Sequence, residues 1–167
     1  MTRHTAEFVV GIADCRVTTD AAASIVTYAL GSCVAVAIHD PVARVGGLLH
    51  VMLPESPRDA RKAAVNPHMF ADTGVPSLLR QAWDAGAEPG RLDVWLAGGA
   101  RVIDDPGIFN IGERNCLMVR KALSKAGVTV RAEALGGREF RTVRLDMTSG
   151  RCLMRTSCGP ECDLGVS

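Results

Sequence analysis

Aromatic residues are scarce in this chain, 4% of 167, so its core has to be built from Val, Leu, Ile, Ala and Met. Charge of one sign is missing as well: 19 basic and 18 acidic residues leave a net +1. With no basic run and few rings to stack on, nucleic acid is excluded as an expected partner. Long hydrophobic runs are absent. The most apolar stretch, Ile25 to Ile38, is interrupted by Thr27, Gly31 and Ser32, and it falls short of the roughly 20 residues a membrane helix needs. Met1 to Glu7 lacks the apolar segment of a secretory signal. The expected compartment is the cytoplasm, without membrane insertion. Phosphate-binding patterns are missing too, since Gly98-Gly99-Ala100 and Gly136-Gly137 have neither GxGxxG nor P-loop spacing.

What is present is the composition of a globular protein, 47% hydrophobic and 22% charged. The length predicts a single domain, residues 1–155, followed by a flexible tail, 156–167. Six cysteines, Cys15, Cys33, Cys116, Cys152, Cys158 and Cys162, are expected to be mostly free thiols in a reducing compartment, serving as small apolar residues. Cys158-Gly-Pro-Glu-Cys162 has the look of a metal knuckle, but no second Cys or His pair accompanies it. His4, His39 and His68 are scattered and suggest no ligand set. Neither a metal nor a cofactor is expected.

Several runs read as strands: Phe8 to Ile12, Cys33 to Ile38, Val45 to Leu53, Leu92 to Ala97, Val128 to Ala134, Phe140 to Met147 and Cys152 to Met154. Cys33–Ile38 and Val45–Leu53 are unbroken apolar runs, the pattern of strands covered on both faces. The short Asp40–Arg44 link makes them antiparallel hairpin neighbours. Thr27 to Ser32 reads as a connection of small residues. Pro54 to Pro67, with three prolines, reads as a mobile surface loop. One helix carries Val75, Leu78, Leu79 and Ala82 on one face, with Pro76 limiting its start and Gly86 ending it. A loop reaches Ile111-Gly112, and a second helix presents Val119, Ala122, Leu123 and Ala126 before a Gly127 cap. The expected fold is a single α/β domain with a mixed sheet and helices packed on it.

One constellation carries chemistry. In Leu30-Gly31-Ser32-Cys33-Val34 the small residues leave space around a thiol held at the junction of a tight loop and a strand. Backbone N–H groups of such a turn can face a developing oxyanion. His50 lies in the facing strand of the hairpin, where an imidazole can draw off the thiol proton. The Thr27 hydroxyl is a third member, able to orient the histidine. Each has an ordinary reading beside the chemical one: a cysteine opening an apolar strand more often fills core, a histidine in such a strand is more often a satisfied buried side chain, and a threonine more often packs or caps.

The residues Thr27-Tyr-Ala-Leu-Gly-Ser-Cys-Val34, Asp40, Gly46-Gly47-Leu-Leu-His50 and Met52-Leu53-Pro54 resemble the chemoreceptor glutamine deamidase family, CheD. The similarity continues through Phe70-Ala71-Asp72, Gly86-Ala87, Gly98-Gly99-Ala100, Ile111-Gly112-Glu-Arg-Asn115, Gly136-Gly137 and Gly150, in order and over roughly residues 8 to 155. Phe140 stands where the family usually keeps a glycine, and Leu135 and Trp95-Leu96 also depart from its pattern. The resemblance implies an α/β sandwich akin to the deamidating cytotoxic necrotizing factor toxins, and conversion of particular glutamines of methyl-accepting chemotaxis receptors to glutamate. It implies Cys33 as nucleophile, His50 as base and Thr27 as the histidine's support, with the receptor cytoplasmic domain as partner and, in some members, a CheC-type phosphatase. The same thioester route would cleave a glutamyl methyl ester. Rival expectations are a binding module on the same fold, a papain-like peptidase, and a thiol redox protein, the last disfavoured because no Cys-x-x-Cys is present.

Overall fold

The computed structural model describes residues 5–57, 60–102 and 110–165; His4 lies outside them, as do residues 103–109 of the loop expected before Ile111. Among the described residues, ten strands form two five-stranded sheets, and the helices cover one of them. β1 (Glu7–Val9), β2 (Cys15–Thr18), β3 (Ser24–Leu30), β4 (Val34–Asp40) and β5 (Val45–Val51) occupy the first third of the chain. The short α1 (Ala60–Val65), α2 (Ala71–Asp84), β6 (Asp93–Gly98) and α3 (Ile111–Lys125) follow. The chain then closes with β7 (Ala132–Leu135), β8 (Arg141–Asp146), β9 (Arg151–Thr156) and β10 (Cys162–Asp163).

The outer sheet has the order β1-β3-β8-β9-β10 and the inner sheet β2-β5-β4-β6-β7. Both are mixed: β1 runs parallel to β3 and β7 parallel to β6, while the other pairs are antiparallel. The architecture is a three-layer α/β sandwich, sheet on sheet with helices against the second sheet.

The inner sheet explains the unbroken apolar runs. All seven residues of β4 and all seven of β5 are buried, because each face of these strands has its own core. Val34, Val36, Ile38, Leu49 and Val51 pack against Val75, Leu78 and Leu79 of α2 and Val119 and Leu123 of α3. Ala35, Ala37 and Leu48 turn the other way and pack with Ile25, Leu30, Val143 and Leu145 of the outer sheet. The hairpin between β4 and β5 forms as expected, its turn closed by the Asp40 carboxylate, which accepts from the Val42 and Ala43 amides.

Several expectations are corrected. The supposed connection Thr27–Ser32 belongs largely to β3, which shifts register between Thr27 and Leu30 and puts Ala29 at a φ of 56°. This is a bulge, invisible to an alternation test because the extra residue breaks the period. Residues 15–18, read as nothing in particular, form the edge strand β2 beside β5. The Pro54–Pro67 segment contains α1, which buries none of its residues. α2 runs through Pro76 rather than starting near it. The proline forfeits one hydrogen bond, to the Asp72 carbonyl, near the helix start, and the buried stripe Val75, Leu78, Leu79 and Ala82 holds the rest. In the segment expected to be a loose tail, β10 pairs with β9 and Leu164 packs on the inter-sheet core.

Candidate active site

The site sits between the two sheets, at the end of the inner sheet where β4 begins and β5 ends. Ala35 pairs with His50 across the two strands. His50 therefore shares the inward face of Ala35 and Leu48, directed at the outer sheet. Cys33 immediately precedes β4 and packs against the same inter-sheet core. It thus stands diagonal to His50, a placement in which the Cα atoms of neighbouring antiparallel strands are roughly 7–8 Å apart and the Cβ atoms closer. Thr27 comes from β3 of the other sheet and meets His50 across the interface. The three sequence-predicted residues converge from two sheets.

Hydrogen-bond bookkeeping assigns the histidine's tautomer. The Thr27 Oγ1 lies 2.7 Å from the Val10 carbonyl oxygen and 2.7 Å from His50 Nδ1. A carbonyl can only accept, and a hydroxyl has one proton to give. Thr27 therefore donates to Val10 and accepts from an Nδ1–H of His50. The basic lone pair is left on Nε2, which is buried and has no hydrogen-bond partner. The histidine's main chain is fixed as well, its N–H donating to the Asp14 carbonyl and its carbonyl accepting from Ala13. Thr27 and His50 are both fully buried. Cys33 is partly exposed, the one member of the three that is not fully buried.

Burial also sets the protonation states. Desolvation lowers the His50 imidazole to about 4, so it is neutral at physiological pH. Burial pushes the Cys33 thiol above its ordinary value, opposed by a hydrogen bond from its own backbone amide. The resting pair is a neutral thiol beside a neutral imidazole with a free lone pair.

The turn that carries the thiol is held by its carbonyls. Ala100 N–H donates to the Gly31 carbonyl at 2.8 Å, Asn115 Nδ2 to the Ser32 carbonyl at 3.0 Å, and Gly99 N–H to the Cys33 carbonyl at 2.8 Å. The glycine pair is required for this approach. A Cβ on Gly98 would lie 2.2 Å from the Cys33 carbonyl oxygen, at a φ of +115° that other residues rarely adopt. Asn115 is buried, and its Nδ2 also donates to the Met52 carbonyl at 3.0 Å. Residue-type reasoning gave it no role. The available signal was a polar residue within the buried stripe Gly112, Asn115, Cys116, Val119 and Leu123 of α3.

The remaining cysteines have other surroundings. Cys116 and Cys152 are buried, Cys158 and Cys162 are exposed, and burial pushes the Cys15 thiol up to about 12. His68 lies against Ser77 of α2, and His39 is buried near the β4–β5 turn. Among the described residues, no group of three or more His, Cys, Asp or Glu is placed to hold a metal ion, and no helix is long and apolar enough to cross a membrane. A cleft of about 650 Å³ lies on the α3 side of Ser32, and neither Cys33 nor His50 is among the residues that line it.

Comparison with known proteins places the chain in a family. The family model described as CheD chemotactic sensory transduction matches residues 52–156, a stretch that includes Asn115 and begins just beyond His50. Curated relatives extend the similarity over the whole site. A probable chemoreceptor glutamine deamidase CheD of Solibacter usitatus is 49% identical over 145 residues, covering 87% of this chain and 86% of its own. A second, from Syntrophus aciditrophicus, is 46% identical over 92% of this chain and 96% of its own. The chemoreceptor glutamine deamidase CheD of Thermotoga maritima is 42% identical over 82% and 84%. A solved structure from Neisseria meningitidis aligns over 80% of this chain and 63% of its own, at 10% identity and a TM-score of 0.45. On the family match and this extent of identity, the chain belongs to the CheD family.

Proposed function

We propose that this protein is a protein-glutamine deamidase that converts glutamines of methyl-accepting chemotaxis receptors to glutamate in the cytoplasm, through a thioester on Cys33. The observation that carries the mechanism is the Thr27–His50 hydrogen bond, which commits the proton to Nδ1 and leaves the Nε2 lone pair unpartnered on the face that Cys33 shares. The relatives' names supply the substrate class; the chemistry follows from the residues. Cys33 Sγ attacks the side-chain carbonyl carbon of glutamine while its proton passes to His50 Nε2. The Cys33 amide, beside its own sulfur, faces the oxygen on which charge develops. The C–N bond breaks as the imidazolium returns the proton to the leaving nitrogen, and ammonia departs. Water then adds to the thioester with His50 taking its proton, the C–S bond breaks, and the thiol and a glutamate carboxylate are released.

A partly exposed Cys33 suits this substrate, because a glutamine projecting from a folded helix brings its amide to the surface. A glutamyl methyl ester would enter the same route with methanol as the leaving group, so methylesterase activity accompanies deamidation. The test is a mass measurement on a purified receptor cytoplasmic domain. Each event replaces an amide NH2 by a hydroxyl at an identifiable glutamine and leaves the backbone intact. Backbone fragments would instead mark a peptidase, and stoichiometric binding with unchanged receptor mass a binding module.

Thr27 has a smaller expected effect than the dyad. Thr27→Val keeps the shape but removes the acceptor from Nδ1 and the donor from the Val10 carbonyl. The tautomer preference weakens and a buried carbonyl is left unpaired, a loss of about 1–3 kcal/mol of stability. The turnover number should fall about tenfold, less than the roughly 10²–10⁴ that the acid–base group itself contributes, and Thr27→Ser should restore most of it. Unchanged turnover with Thr27→Val would remove the threonine from the mechanism.

A further inference from the structure

The turn bearing Cys33 has no helix or ladder of its own to fix it. Gly31, Ser32 and Cys33 lie between the end of β3 and the start of β4, and glycine followed by serine is a flexible pair. What fixes the turn is that three consecutive carbonyls are each held, the first and third by backbone amides of the Gly99–Ala100 segment and the middle one by a side chain, Asn115. That middle peptide is the one whose N–H belongs to Cys33. In a planar trans peptide the C=O and N–H point in opposite directions. A Ser32 carbonyl drawn to α3 therefore directs the Cys33 N–H away from α3, toward the inter-sheet side where the sulfur and His50 lie.

Asn115 makes a second connection. The same Nδ2 reaches the Met52 carbonyl, two residues beyond His50 and just past the end of β5. One amide group, with two N–H bonds to give, spends both on the main chains of the two segments that bear the nucleophile and the base. Its Oδ1 is buried and has no partner. An asparagine serving packing alone would not carry an unpaired buried oxygen, whose desolvation is unfavourable. The position tolerates that cost for the sake of the donor.

We propose that Asn115 is a positioning residue for the oxyanion hole: by holding the Ser32 and Met52 carbonyls together it aims the Cys33 amide at the developing oxyanion and keeps that peptide in register with His50. The inference rests on the deamidase reading above and adds a residue to it. Asn115 touches neither substrate nor sulfur, and its effect passes through the Ser32–Cys33 peptide.

The test compares the full-length protein with Asn115→Leu and Asn115→Ala on a receptor cytoplasmic domain. Leucine keeps most of the volume and removes the unpaired oxygen along with the donor, so a folded variant is expected even where alanine leaves a cavity. Two reactions at Cys33 are followed: deamidation, which passes through an oxyanion, and alkylation by iodoacetamide, a displacement at saturated carbon that does not. The turnover number should fall about 100-fold, the effect of losing one oxyanion donor, while receptor KM changes by less than about threefold. The limiting alkylation rate at high pH should stay within about threefold of wild type, since the thiolate itself is still present. Equal losses in both reactions, an unchanged turnover number, or failure of both variants to fold would overturn the proposal and leave Asn115 a purely structural residue. Cys33→Ala run alongside separates the two levels: residual deamidation there would sink the thioester mechanism itself, whatever Asn115 does.

Discussion

Cys33→Ala should abolish deamidation while leaving receptor binding and the fold intact. Cys33 is small and partly exposed, and loss of its sulfur creates little cavity, so the stability change should stay below about 1 kcal/mol. The chemical change is total in the proposed route, because the acyl intermediate forms on the Cys33 sulfur. Serine should not rescue it. A hydroxyl is far harder to deprotonate than a thiol, and the base beside it is lowered to about 4, too weak to make up the difference. The measurement is the receptor mass spectrum after prolonged incubation, with stoichiometric binding followed in parallel. Cys33→Ala that still deamidates within about tenfold of wild type would exclude the covalent route, since removal of a nucleophile ordinarily costs several orders of magnitude. The intact thiol makes a second, independent forecast. Because burial raises it, alkylation of the free enzyme should be slow at neutral pH and accelerate as pH rises beyond the ordinary thiol range of about 8.5.

The local part of this site was legible in the sequence, and the long-range part was not. Two unbroken apolar runs separated by a short Asp-Pro turn specify a hairpin buried on both faces, and that hairpin alone puts Cys33 near His50. Side-chain alternation even places them on one face. Thr27 was nameable as a partner but its place was misread, since small residues and a bulge disguise β3 as a connection. Its meeting with His50 depends on how two sheets stack, and no period along the chain records that. The same holds for Asn115, whose two bonds span 83 and 63 positions in the chain. A polar residue in an apolar helical stripe signals that something buried needs a donor, without naming what. The two helices were found by their stripes, while Pro76 misplaced one start because the bond it forfeits costs less than the buried face returns. The short strands β2 and β10 were missed because four and two residues at a sheet edge carry too little pattern to stand out.

His50→Ala should lower the turnover number by about 10²–10⁴, the usual contribution of a positioned general base, and its pH dependence identifies the state in which the histidine works. A papain-like site holds its cysteine as a thiolate against an imidazolium, and its activity falls when either charge is lost. Here burial acts against both charges, raising Cys33 and lowering His50 to about 4. The proton must therefore move as the sulfur attacks, and not before. The sign of the consequence is fixed. A base whose pKa is depressed is fully in its active, neutral form above that pKa and is lost only as pH falls through it. Wild-type kcat/KM should thus stay level from pH 7 down to pH 5, with the acid limb near 4. An acid limb between pH 6 and 7 would mean that the imidazole keeps its ordinary basicity and that the resting pair is already ionised. In His50→Ala the acid limb should disappear along with the activity. Added imidazole, small enough to enter the space left between the sheets, should restore part of the rate. The restored rate should follow imidazole's own titration near neutral pH instead of the buried value, because the free base equilibrates with water before it enters. Rescue of this kind requires only a neutral nitrogen base beside Cys33, and that is the role proposed here for the unpartnered Nε2.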